Sequence, residues 1–593
     1  MALHTKSGFF RHRPPIPPPE TVMLSEANRY LCAAAYLADS YSRKLTAELI
    51  DNEHRAVAQS IGVDLGPVLR HCLRAQRMLV DRDALLTLVL LIGLAVTPLV
   101  SLWLGVAGGI LVGAALWSRD RALAVGAGLA AGFLLTCLGG ALSTIMVYLL
   151  PGSSDDSPAA FRDGYSTRLL TTTDDRSLSR LLVWFGLVSV FTVVVYTWWQ
   201  LRVYRVLTDD LASGHRHRPP AVPLGRVGRR IAAVTAAQWG NITLHSQGGP
   251  FLGAGTVLQS WSMSLGLRHP DGTSCQIDPV DLHQHVRDQL LTMRSDDLPE
   301  RERISGLIVV DHIVATGERK LPDPLIDPAN RVPYAEASPE AIRAIIRHPQ
   351  GSLRYYLRAV VGAEGRDIVE DERLVAPAQD QEIAVSTFLY LAVEGGMLYV
   401  EFVATVLPPV LDALHEIDRM APERIVGKAL RAGLIHGLIG LVAAPYRLAQ
   451  EINAVFGTGR RMDEAARDSR EYRTYDYSAR LSVRELAGDN RLQNYLQKLD
   501  AEKYYKLVER AVTGAILTFL DERGVDTSEY LARSMVVLNT GVMISGGTVT
   551  GPVAAGDKAS ATAGSIPGGG TPAGTTSASG ASTEAGAATA VAR

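Results

Sequence analysis

Apolar positions along this 593-residue chain fall into unlike patterns, and the longest are free of charge altogether. Ala84 to Trp117 is a run of 34 residues without a charged side chain, Ala122 to Leu150 adds 29, and Leu181 to Trp199 forms a third block. A helix needs roughly 20 apolar residues to cross a bilayer, so these blocks predict membrane spans. The 34-residue block is too long for one untilted helix and holds Pro98 near its middle, which allows one long helix or a hairpin of two short ones.

The placement of Arg discriminates between these. Arg70, Arg74, Arg77 and Arg82 precede the first block, Arg119 and Arg121 interrupt it, and Arg202 and Arg205 follow the last, whereas the loop 151–179 carries three Arg against five Asp. The positive-inside bias then favours four spans, 84–98, 100–117, 122–150 and 180–200, in a multi-pass cell-membrane protein with both termini cytoplasmic. Three spans are the alternative.

Outside residues 83–200 the patterns shorten. Residues 1–22 are Pro-rich and predicted disordered, 23–82 read as cytoplasmic amphipathic helices beginning near Ser25, and 201–230 form a basic juxtamembrane linker. From 231 to 420 strand-like and helical periods alternate. Strands are predicted at 242–245, 256–267, 304–315 and 353–361, and helices at 279–293 and, capped by Ser338, at 339–347. Two apolar runs, 382–393 and 398–407, flank Gly395-Gly396 and predict a hairpin. The 421–533 region reads as helical. In its helical stretch 422–456, Ala429 to Tyr446 is mostly apolar, but Arg431 and His436 argue against a full span, leaving a helix on the bilayer surface or packed on the domain. Gly-punctuated apolar pairs at 534–558 suggest short strands for self-association or a sticky linker, and the Ala/Gly/Ser/Thr-rich 559–593 reads as a disordered tail. The fold class expected is therefore multi-domain: an α-helical membrane bundle, a cytoplasmic α+β domain, helical flanks and a disordered carboxyl-terminal tail.

Composition changes this picture little. A formal charge of −2 argues against a general nucleic-acid coat, and four cysteines with no CxxC spacing exclude a disulfide scaffold. Only 8 of the 59 cationic residues are Lys, an Arg-rich bias that hints at a high-GC bacterial origin.

Candidate chemistry is sparse. No P-loop, HExxH or GxSxG pattern occurs, so no catalytic residue, metal ligand or cofactor is assigned. His283 and His285 would point to different faces of a helix, and Asp311 and His312 to opposite faces of a strand. The best ligand-contact candidates are Gly248, Gly249, Phe251, Gly253 and Gly255, because Gly lets backbone N–H groups approach a phosphate or carboxylate; a structural turn is the plainer reading. Arg202, Arg205, Arg216 and Arg218 form a candidate basic segment facing anionic lipid.

Several stretches, among them Arg29-Tyr30-Leu31-Cys32-Ala33-Ala34-Ala35-Tyr36, Gly240-Asn241-Ile242-Thr243, Pro250 to Gly255, Leu398-Tyr399-Val400-Glu401-Phe402 and Asp521 to Ser528, resemble a family of large actinobacterial membrane proteins without assigned function. Gly546-Gly547-Thr548-Val549 is similar to that family's end. The resemblance implies several spans and a cytoplasmic domain and brings no activity. The function expected is a non-enzymatic, membrane-anchored scaffold or sensor with a protein partner or a second copy of itself. A channel or transporter subunit and a membrane-bound enzyme are the alternatives.

Overall fold

The computed structural model describes residues 8–15, 24–96, 175–214, 217–246, 249–363, 365, 367–489 and 491–532. Helix α1 (Glu26–Leu37) starts at Ser25, whose hydroxyl accepts the Asn28 N–H at 3.3 Å and so satisfies one of the unpaired donors of the first turn. Helices α2 (Asp39–Thr46), α3 (Leu65–Val96), α4 (Asp175–Arg205) and α5 (Arg226–Ala237) follow. Leu31, Leu45, Leu69, Val203, Ile231 and Val234 from these helices meet in one helical core.

A six-stranded sheet comes next. Its strands are β1 (Ile242–His245), β2 (Thr256–Gly266), β3 (Leu307–Thr316), β4 (Arg354–Gly362), β5 (Ala384–Glu394) and β6 (Met397–Leu407), in the order β1-β3-β4-β5-β6-β2. Only β1 runs parallel to its neighbour, with Ile242 opposite Ile313. Gly395 and Gly396 close β5 onto β6 at φ +60° and +73°, the positive angles that a two-residue hairpin turn requires. Strand periodicity divides the side chains between two faces. Leu389, Val400 and Phe402 pack under α6 (Pro279–Thr292), α7 (Pro339–Arg347) and α10 (Tyr495–Glu522), which contribute Leu282, Ile346 and Ile516. Val314, Tyr356, Phe388 and Val403 face the other way, under the glycine loop that carries Phe251.

Helix α8 (Ile425–Phe456) packs on α3 and α4, and α9 (Thr458–Glu471) follows it. Close approach to α4 is possible because Gly433 and Gly437 present no side chain: a Cβ on Gly433 would lie 2.3 Å from Thr197 Oγ1. Helix α8 bends by 89° between its segments Pro422–Gly437 and Gly440–Phe456.

The four-span helical bundle is overturned. Among the described residues one helix, Gly186–Asp210, is long and apolar enough to cross a membrane, or two if the bent α8 pair counts as a span, and the chain is a sheet-rich mixed α/β protein. Physically, residues 84–96 of the segment expected at 84–98 belong to a helix that starts at Leu65 and whose first half is buried in the helical core, and 97–98 lie outside the described residues. Charge-free composition at 84–96 therefore reflects packing against α4 and α8 as well as exposure. The expectations at 100–117, 122–150, 534–558 and 559–593 lie outside the described residues.

Candidate functional site

The glycine loop was the candidate ligand cradle, and its amides hold a carboxylate of the chain itself. The N–H groups of Gly253 and Gly255 both donate to Glu485 Oε1 at 2.9 Å. Positive φ at Gly249 (+135°), Gly253 (+88°) and Gly255 (+83°) allows this loop path, and a Cβ on Gly255 would lie 2.0 Å from the Val406 carbonyl oxygen. Phe251 is not offered to a ligand: its ring packs on Phe388 at 4.6 Å and on the edge of Tyr356 at 5.7 Å. Gly248 lies outside the described residues. Glu485 comes from the short helix Val483–Leu486, capped by Ser482. Burial raises its pKa, while the two amides and the Arg358 charge work in the opposite sense.

Beside this cradle lies a buried polar network, in which Arg358 Nε has no hydrogen-bond partner. Arg358, 2% exposed, donates from Nη1 to Gln59 Oε1 at 3.1 Å and from Nη2 to Ser386 Oγ at 3.0 Å, and its guanidinium sits 5.0 Å over the Phe388 ring. His312 Nδ1 donates to the same Gln59 oxygen at 2.9 Å, a direction set by the Gln59 amide nitrogen being committed to the Gly240 carbonyl. Burial lowers the Arg358 pKa to about 10, and burial together with the Arg358 charge lowers His312 to about 3. The His312 imidazole is therefore neutral near pH 7.

Strand geometry separates Asp311 from His312. Asp311 accepts from the Tyr355 hydroxyl at 2.8 Å and from Arg287 on the α6 side, away from Gln59. His283 Nδ1 donates to the Pro279 carbonyl at 2.7 Å, whereas His285 packs against Phe519 at 5.5 Å, so the two imidazoles do not converge. Among the described residues no group of three His, Cys, Asp or Glu could hold a metal ion.

Of the basic segment, Arg202 pairs with Asp81 at 3.2 Å and lies 5.6 Å over the Trp198 ring. Arg205 and Arg218 are exposed, and Arg216 lies outside the described residues. Sequence reasoning missed Gln59, Arg358 and Glu485. Their partners lie hundreds of residues away, and only an Arg in the middle of an apolar strand hinted at a buried charge.

The sheet, the helices packed on it and the Glu485 cradle form one folded body. Residues 260–550 match the AbeC-like domain family. No curated protein and no solved structure matches the chain. The AbeC-like region takes in most of β2, strands β3–β6, helices α6–α10 and Glu485. It leaves out β1, α1–α5 and Gln59, so the Arg358 network joins the AbeC-like region to the helices that precede it.

Proposed function

We propose that this protein is a membrane-anchored binding protein, a scaffold or sensor whose α+β body is held at a bilayer surface by the apolar ends of α3, α4 and α8. The observation that carries the reading is the exposure of α4: only 17% of its apolar window is buried, and Val183, Val190, Phe191 and Val194 face outward. Leu88, Leu91 and Ile92 of α3 and Leu430, Leu434 and Ile435 of α8 extend the same exposed apolar surface. A patch of this kind on packed helices needs an apolar environment. The 19 residues from Leu181 to Trp199 would reach about 28 Å at roughly 1.5 Å each, close to a core of about 30 Å.

A polar and aromatic belt supports one end of this surface as an interface. Arg82 lies 4.5 Å over Trp199, Arg202 lies over Trp198, and the Asp81–Arg202 ion pair ties the Arg-rich ends of α3 and α4 together. The Arg bias at that end favours a cytoplasmic side for the body, next to anionic lipid. The glycine cradle, filled by Glu485 of the chain itself, favours a binding role over catalysis at that loop. Protein partners, a second copy included, would meet the body.

The test is extraction and flotation. The full chain should stay with membranes through alkaline carbonate and float with liposomes, and Val190→Glu with Val194→Glu should release it. Wild-type protein that is fully extracted by carbonate would sink the reading.

A further inference from the structure

A cavity of about 580 Å³ lies between α5, the segment 332–335 and the amino-terminal residues His12 to Pro15, within the roughly 300–1,000 Å³ of small-molecule sites. One wall exists because α5 is lined there with small residues: Gly228, Ala232, Ala233 and Ala237 recur near the four-residue spacing that places side chains on one helix face. Ile242, Val332, Pro333 and Tyr334 complete walls that are mostly apolar.

The charges around it have one sign. Arg13, Arg55, Arg229, Arg230 and His12 line the cavity, and no Asp or Glu does. Three of the five have acidic partners outside it: Arg13 with Glu336 at 3.4 Å, Arg55 with Glu48 at 2.5 Å, and His12 with Asp327 at 3.4 Å. Even so, Arg55 Nε is buried without a hydrogen-bond partner. Arg230, 7% exposed, hydrogen-bonds to the backbone carbonyls of Leu49, Asn52 and Arg55, and the acidic groups that act on it, Glu53 and Glu48, are already paired with Arg226 and Arg55. Arg229 is exposed at the cavity and makes no side-chain hydrogen bond or ion pair among the described residues. A buried or half-buried guanidinium without a counter-ion is costly unless an anion joins it.

We infer that this cavity binds a single-chain amphiphile with an anionic head, a long-chain carboxylate or phosphate monoester, its chain along the Ala face of α5 and its head at Arg229 and Arg230. A mostly apolar cavity lined by arginines and by no acidic residue selects for that combination. Guanidinium groups suit both head chemistries because their N–H donors match paired oxygens. The inference does not rest on the membrane reading, since the cavity lies in the body.

The experiment is native mass spectrometry of the detergent-solubilised full chain, titrated in turn with oleate, oleyl phosphate and oleyl alcohol. A saturable one-to-one complex is expected with an anion, about tenfold tighter than with the alcohol. Whether oleate or oleyl phosphate binds more tightly separates a fatty acid from a lysophospholipid-like source. Ala233→Trp, which fills the slot from an exposed position, should abolish the complex. Arg229→Glu should weaken anion binding by about tenfold or more and leave the alcohol unchanged. Both substitutions are at exposed positions, and an unchanged melting curve confirms the fold. Equal affinity for the alcohol, undiminished binding to Ala233→Trp, or no saturable complex with either anion overturns the proposal.

Discussion

His71 and His217 face each other through their Nε2 atoms at 2.8 Å, buried between α3 and the segment that follows α4. The Tyr36 hydroxyl donates to His71 Nδ1 at 2.8 Å, and His217 Nδ1 donates to the Asp210 carbonyl at 2.6 Å. The one consistent arrangement of protons then has His71 Nε2–H donating to a neutral His217. A further proton on His217 would set two N–H groups against each other. Burial is the main cause that lowers both pKa values; the His217 ring further lowers that of His71, and Arg70 and Arg74 lower both. The unfolded chain therefore binds more protons below about pH 6.5, and stability falls as pH drops through that range towards the folded pKa. The urea midpoint should decrease from pH 7 to pH 5, with a slope near 1.4 kcal/mol per pH unit for each proton taken up on unfolding. His217→Gln should flatten that slope, and an identical pH dependence would count against the pair as a source.

Asp83 joins α3 to α8. It is fully buried, pairs with Arg82 at 2.9 Å and accepts from Arg447 at 3.0 Å, 364 residues later. Asp83→Ala leaves two guanidinium groups facing a neutral site and should cost about 3–5 kcal/mol. Thermal melting of the solubilised protein measures it. Replacing Arg82 and Arg447 by Met in the same chain should recover most of the loss; a single variant that melts like wild type would show the pair to be idle.

Removing the Glu485 carboxylate strands two half-buried donors. Glu485→Ala should destabilise by about 2–4 kcal/mol, and Glu485→Gln, whose amide oxygen can still accept, by less. Gly255→Ala should be worse than Gly249→Ala, because the new Cβ meets the Val406 carbonyl at one site and nothing within 4 Å at the other. Urea midpoints in that order support the cradle as structural, and the reverse order refutes it.

Helix packing on α4 makes a matched pair. Gly433→Val puts carbon into Thr197 Oγ1 and the Val193 carbonyl, whereas Gly427→Val meets open space. The first should loosen α8 from α4, with a melting temperature lower by several degrees, as expected for a loss of about 2 kcal/mol. Protease cleavage within α8 should rise for Gly433→Val alone.

How much of this was legible in the sequence depended on distance along the chain. Ser338 caps Pro339–Arg347 as its local pattern predicted, and Gly395-Gly396 turns β5 into β6, because caps and tight turns are decided within a few residues. The glycine loop was visible too, though not its occupant, since the chain reaches Glu485 only 230 residues after Gly255. Pattern likewise left open whether α8 packed on the domain or lay on a bilayer, because exposed Arg431 and His436 suit either, while the four-residue spacing of Gly433 and Gly437 does not say which helix fills that face.

Alone, the amino-acid sequence determined the local elements, the apolar blocks and the absence of familiar catalytic spacing, all of which follow from near-neighbour sterics and the period of hydrophobic positions. Only the tertiary structure decided that α3 is one helix anchored in a helical core, that Arg358 and His312 share Gln59, and that small residues on α5 leave a cavity lined by arginines and by no acidic residue. Such features depend on which distant side chain fills the space opposite, and near-neighbour patterns carry no information about that partner.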